Sequence, residues 1–279
     1  MRQGYGGSDK YSVFALCECG DSHRKIGKRC QDFAYCSKGD GCAVISVADG
    51  HGDVNYPRSE IGACIAAVCG AYWMKKFVSY MDKSHADIRK AGGEIERLKK
   101  VVCENWLSQV KDDLRSFPLS AEELESVEPK YRENPQRTYG TTLLTACFTP
   151  KYWLALQLGD GACVAVSGNG EIYEPIEADE RCRGSFTTSL SSFEAYKDMR
   201  VFWSEELPAA VFLGSDGIEN SYRSKDKFHE FYRSICKYMK SHLFAGGVEK
   251  VRSFLPKLTA SGCGDDVSIA AVVDVKALR

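Results

Sequence analysis

The chain has 279 residues, 44% of them apolar and 27% charged, with 37 Lys and Arg against 38 Asp and Glu. That is globular composition with enough apolar material for a sizeable core, and its even charge balance excludes a general attraction to nucleic acid or to an anionic membrane. The first ten residues, MRQGYGGSDK, hold no apolar stretch, and the most apolar region, residues 61–74, is interrupted by glycines and followed by Lys75 and Lys76, so the sequence reads as a cytoplasmic protein. Thirteen cysteines are spread along a chain long enough to bury its own core, and they read as reduced, structural thiols. Cys17, Cys19, His23 and Cys30 lie close in sequence, but Cys-x-Cys is not zinc-ligand spacing.

In chain order, short apolar runs predict strands at residues 11–16 and at 42–47, the second ending at Asp49-Gly50. Ile61, Ile65, Val68 and Tyr72 then recur at helical spacing after Pro57 and Ser59, as do Ile95, Leu98, Val102 and Trp106, which predicts two consecutive amphipathic helices. Residues 116–138 are polar and hold three prolines, so they read as a long surface connection, apart from a capping-box pattern at Ser120 and Glu123. Further strands are expected at 141–148, 153–158, 162–166, 211–213 and 267–273, with a third helix over 227–242. There is no repeat and no linker between separate cores, so a single domain over 1–279 is expected. Helices that follow strand groups, rather than alternating with single strands, favour an α+β layered sandwich over a doubly wound parallel sheet.

The segment Asp49-Gly50-His51-Gly52-Asp53 directly follows a strand and exposes side chain and backbone together. At such a turn Asp49 can bridge two hard cations, the Gly50 carbonyl can fill another position, and His51 stands beside them as a proton donor. Asp and Gly are also ordinary turn formers, so one such turn says little. The pattern recurs, however, at Gly159-Asp160-Gly161, Ser215-Asp216-Gly217 and Gly264-Asp265-Asp266, each beside a strand. Converging carboxylates repel one another unless a cation compensates them, and oxygen-only donors suit Mg2+ or Mn2+ better than zinc or copper. Two such ions about 3.5–4 Å apart activate water for phosphate-ester hydrolysis. No cysteine has an arginine six residues later, which excludes the thiolate-and-arginine loop of a phosphocysteine mechanism.

Taken in order, Asp49 to Gly52, Gly140 to Thr142, Gly159-Asp160, Asp216-Gly217 and Asp265-Asp266 resemble the type 2C, metal-dependent serine/threonine protein phosphatase family, with a match over about residues 11–275. The resemblance implies a four-layer α-β-β-α sandwich with two central antiparallel sheets, and two Mg2+ or Mn2+ ions with a weaker third. It implies that Asp49 bridges the two ions, that Gly50 lends its carbonyl, and that Asp216 and Asp265 complete the first ion's shell. Asp160 would join Asp216 at the third site, and Asp32 would hold metal-bound water. A hydroxide bridging the ions would attack phosphorus, and His51 would protonate the leaving serine or threonine oxygen. The expected partner is a phosphoprotein substrate of a monomeric enzyme.

The chain departs from the family at Cys30-Gln31-Asp32, where Gln31 replaces an acid, and at Gly27, where a phosphate-gripping arginine is usual. The stretch from Gly20-Asp21-Ser22-His23 to Gln31-Asp32 is similar to a bacterial-type branch of the same family. The phosphate grip then falls to Arg24, Lys25, Lys28 or Arg29, and His23 helps to shape the site. Residues 179–198, with Arg183, Gly184 and Thr187 to Ser189, fall where the family carries a variable flap, expected to be mobile and to influence substrate choice. Competing readings are a phosphatase for small esters or phosphotyrosine, and an inactive family member that serves as a binding module.

Overall fold

In β3 (Cys42–Ala48) every residue is buried, which happens when a strand is covered on both faces. Its Ala43, Ile45 and Val47 pack in one core and its Cys42, Val44 and Ala48 in another, as the two-residue period of a strand requires. The computed structural model describes residues 10–39, 41–182 and 186–278. Its elements are β1 (Ser12–Glu18), α1 (Asp21–Lys25), β2 (Phe33–Gly39), β3, α2 (Ser59–Lys83), α3 (Gly92–Ser116), α4 (Ala121–Ser126), α5 (Pro129–Glu133), β4 (Leu143–Phe148), β5 (Trp153–Leu158), β6 (Ala162–Val166), β7 (Ile172–Tyr173), β8 (Arg200–Ser204), β9 (Ala210–Gly214), α6 (Asp216–Glu219), α7 (Lys225–Ser261) and β10 (Val267–Val273).

The strands form two five-stranded sheets, ordered β1-β10-β9-β6-β7 and β2-β3-β4-β5-β8, and the registered pairs are antiparallel. Side chains from the facing surfaces, among them Ile45, Leu144, Phe148, Trp153, Val211 and Val272, fill the space between the sheets. On the outside, α2 and α3 cover the second sheet and α7 covers the first. The result is α+β with an α-β-β-α layering. By length and composition α2 is apolar enough to cross a membrane, but here it is the central helix of a packed layer, with Ala63, Ala66, Ala67, Met74 and Val78 buried.

The expected strands and the first two helices are present, with differences elsewhere. Residues 116–138 are not a loose connection: they hold α4 and α5, and the Ser120–Glu123 capping box is formed in both directions. The third helix extends far past residue 242, with a break at His242 and Leu243 where the backbone leaves helical geometry. The strands β2, β7 and β8 were not expected; β2 and β8 are half-buried edge strands with few fully apolar runs.

Antiparallel pairing decides where the carboxylates go. The end of β3 lies beside the start of β2, with Ala48 opposite Phe33, and the end of β9 lies beside the starts of β10 and β6, with Gly214 opposite Ile269 and Ala162. Asp49 after β3, Asp32 before β2, Asp216 after β9, Asp265 before β10 and Asp160 between β5 and β6 therefore gather at one end of the sandwich.

Layer contact is close enough to forbid side chains at Gly62 of α2, where a Cβ would sit 2.0 Å from the Tyr139 carbonyl oxygen while the Gly62 carbonyl accepts the Trp106 indole N–H at 3.0 Å. Gly62→Ala is expected to destabilise by about 2 kcal/mol or more. At Gly70 the nearest atoms are side-chain carbons at 3.2 Å, so Gly70→Ala, helped by alanine's helix propensity, should change stability by less than about 1 kcal/mol. Urea denaturation of the two variants checks the contrast, and equal effects would contradict it.

Candidate active site

The turn after β3 is held from behind by the segment that precedes β4. The Asp49 amide donates to Thr142 Oγ1 at 3.0 Å, and the Asp49 carbonyl accepts from the Thr142 amide at 2.8 Å and from Thr141 Oγ1 at 2.9 Å. The His51 amide donates to the Gly140 carbonyl at 3.0 Å. A Cβ at Gly140 would strike the rings of Tyr56 and His51, and one at Gly50 would lie 2.6 Å from the Gln31 carbonyl oxygen and 2.8 Å from that of Ser59. The glycines and threonines of these motifs are thus what lets two backbones run together under Asp49.

Around that turn the carboxylates gather, with Asp32 buried and Asp49, Asp160 and Asp216 half-buried. Burial, then the charges of Asp32 and Asp216, hold Asp49 well above the usual carboxylate range. Burial and the neighbouring Asp266 push Asp32 up to about 8, against hydroxyls of Ser215 and Ser268 that pull it down, and its Oδ2 has no hydrogen-bond partner. Burial raises Asp216 to about 6, opposed by hydrogen bonds to Asp49 and Asn220, the latter 2.9 Å long. Burial also raises Asp160, against Thr187 and Arg200. Asp265 is the exposed member, with its side chain 55% accessible and its Oδ1 accepting the Asp266 amide at 2.9 Å. His51 is half-buried, edge-on to Tyr56 with ring centres 4.9 Å apart, and desolvation lowers it to about 4.

Asp266 has a different part from its neighbour. It is 3% exposed, accepts the Gly20 and Gln31 amides at 2.6 Å each, and has His23 Nδ1 3.0 Å away. One carboxylate thus ties the loop before α1, the Gln31-Asp32 segment and the β10 entry together, and His23 belongs to this tie. The sequence signal was the doubled Asp265-Asp266, which does not by itself say which acid turns inward. Gln31 donates from Nε2 to Ser59 Oγ at 2.9 Å, so it braces the start of α2.

Of the four basic candidates, Arg24 pairs with Glu18, Lys25 with Asp21 at 2.6 Å, and Arg29 with Glu60 at 2.9 Å. Of these four, Lys28 alone reaches the Asp49–Asp53 turn, with Nζ 2.5 Å from the Gly52 carbonyl oxygen. Among the described residues no disulfide joins the cysteines, and Cys17, Cys19 and Cys30 each make a separate hydrogen bond instead of converging.

Within 179–198, Arg183 and Gly184 lie outside the described residues. The described part is anchored: Arg181 bonds Asp179 and Asp198, the Gly159 amide donates to Thr188 Oγ1 at 2.9 Å, and the Leu190 amide donates to the Thr141 carbonyl at 2.9 Å. This segment therefore packs on the Gly140–Thr142 and Gly159–Asp160 turns themselves.

Among the described residues, no three His, Cys, Asp or Glu side chains are already drawn together to hold a metal ion. The donor set nevertheless suits a hard divalent cation. It is all oxygen, its members repel one another, and the buried Asp32 Oδ2 lacks any partner.

A family description of protein phosphatase 2C matches residues 19–255, and the chain belongs to that family. Its fold is similar to the serine/threonine phosphatase PstP/Ppp of Mycobacterium tuberculosis, at 14% identity and TM-score 0.58 over 94% of this chain and 98% of that one. It is similar also to PppA, a regulatory component of T6SS in Pseudomonas aeruginosa, at 15% identity and TM-score 0.59 over 94% and 97%. A sex-determining protein of C. elegans matches at 13% identity and TM-score 0.63, over 99% of this chain and 68% of that one. A search of curated protein sequences finds no match.

The burial of like charges has a measurable cost. Unfolded aspartates titrate near about 3.9, so Asp216 and Asp32 bind protons more tightly in the folded chain. The stability gained from that protonation is complete below about 4 and is lost as pH rises through about 6 and then about 8. In chelator, Asp49→Asn should therefore unfold at a higher temperature than the natural chain, with a gap that widens between about pH 5 and pH 8. Scanning calorimetry across that range checks this, and a gap that narrows with rising pH would contradict it.

Proposed function

We propose that the chain hydrolyses phosphoserine and phosphothreonine esters in proteins, using two Mg2+ or Mn2+ ions held by Asp49, the Gly50 carbonyl, Asp216 and Asp265, with Asp32 behind them. Asp160 with Asp216 would take a third ion. The observation that carries the reading is the set of mutually repelling carboxylates at one end of the sandwich, where Asp32, Asp49 and Asp216 are each raised by burial and by acidic neighbours. When bound, the ions supply Lewis acidity and make water a nucleophile near neutral pH.

The chain's own residues would do the rest. The Thr141 and Thr142 contacts hold the Asp49 carbonyl and amide, so the carboxylate presents a fixed direction. Lys28, beside the Gly52 carbonyl, would meet the phosphate oxygens in place of the absent arginine. His51 is neutral as it stands, because burial lowers it to about 4. A phosphate dianion beside it raises its proton affinity, and the imidazolium can then give that proton to the leaving serine or threonine oxygen.

Hydrolysis of a phosphothreonine peptide with Mn2+, with Mg2+ and with chelator tests the reading. Activity should require a divalent ion, and Asp49→Asn should lower kcat by at least about a thousandfold. Near-normal turnover by that variant, or turnover in chelator, would refute it.

A further inference from the structure

An open groove of about 580 Å³ starts at Lys28 and Gly52, beside the catalytic turn, and runs outward past Val54 and Tyr56 to Arg58 and Glu123. One side is the loop that joins Gly52 to α2. The other belongs to α4, in the stretch that composition alone would leave as a loose connection.

Both walls are built. Arg58 pairs with Glu123 through two nitrogens, lies 3.6 Å from Asp113, and donates to the carbonyls of Phe117 at 3.2 Å and Pro118 at 3.3 Å. The loop side is braced by Asn55, which bonds the Asp53 carboxylate at 2.8 Å and accepts the Glu128 amide at 2.9 Å, and by the Tyr56 and Tyr131 hydroxyls, 2.9 Å apart. Arg29 with Glu60, and Arg58 with Glu123, neutralise each other within the groove. What remains for a ligand is the Lys28 amine at the inner end, the exposed Asp53 carboxylate beside it, and an apolar rim at Val54, 60% exposed and held in place by its braced neighbours.

We propose that this groove binds the polypeptide flanking the phosphorylated residue, and that Val54 selects substrates with an apolar side chain next to it. The inference rests on the phosphatase reading, since the groove is continuous with Gly52 and shares Lys28 with the site. An extended peptide whose phosphate lies at Lys28 and whose neighbouring side chain packs on Val54 satisfies both features. An acidic side chain there would face a rim that offers no unpaired cation except Lys28 itself.

The test measures fluorescence anisotropy of two labelled phosphothreonine peptides, one with leucine and one with aspartate on each side of the phosphoresidue, with hydrolysis of both and of p-nitrophenyl phosphate followed in parallel. The natural chain should bind the leucine peptide about tenfold more tightly than the aspartate peptide. Val54→Asp should abolish that preference, Val54→Ile should keep it, and the ratio of peptide to p-nitrophenyl phosphate kcat/KM should fall in Val54→Asp. Equal binding of the two peptides by the natural chain, or an unchanged preference in Val54→Asp, would overturn the groove assignment even if hydrolysis proceeds. Binding preference without hydrolysis of any ester would uphold the groove and instead refute the phosphatase reading.

Discussion

Mutual repulsion among buried and half-buried carboxylates is the constraint on which the rest of this molecule depends. Asp32, Asp49 and Asp216 are each held above the normal carboxylate range by burial, with further repulsion from their acidic neighbours. An arrangement that costs stability needs a rigid frame to maintain it. Two antiparallel sheets supply that frame, because their strand ends meet at fixed register and their shared core is closely filled. The Thr141–Thr142 backing of Asp49 and the Asp266 tie between three loops do the same work at closer range.

Much of this was legible in the sequence, because strand ends are written in short, local patterns. An apolar run closed by Asp-Gly identifies both a strand and the carboxylate at its end, and the order of these turns carried the family resemblance. The layering followed from that resemblance, and the two sheets with their outer helices bear it out. Buried strands such as β3, β4 and β10 were clear for the same reason: they are covered on both faces and so are apolar but for Ser46, Thr145 and Ser268.

What the sequence concealed depends on partners far away in the chain. Nothing local to Arg58 reveals that it grips Glu123, Asp113 and two backbone carbonyls, so residues 116–138 read as slack when they form a wall. Edge strands β2 and β8 are half-buried along most of their length and mix polar with apolar residues, which weakens their signature. In Asp265-Asp266 the two side chains are chemically equal in sequence, and only the amides of Gly20 and Gln31 decide that the second turns inward. Likewise, four basic residues before Gln31 looked equivalent until three of them found carboxylates and Lys28 did not.

The central claim is that the acidic cluster exists to hold divalent cations, and it is tested most directly by counting the ions. Titration of the purified chain with Mn2+, followed by the loss of the free-ion electron paramagnetic resonance signal, should show at least two saturable sites, with the tighter binding lost in Asp49→Asn. Binding that never saturates, or that is the same in the variant, would mean that the cluster is not a metal centre.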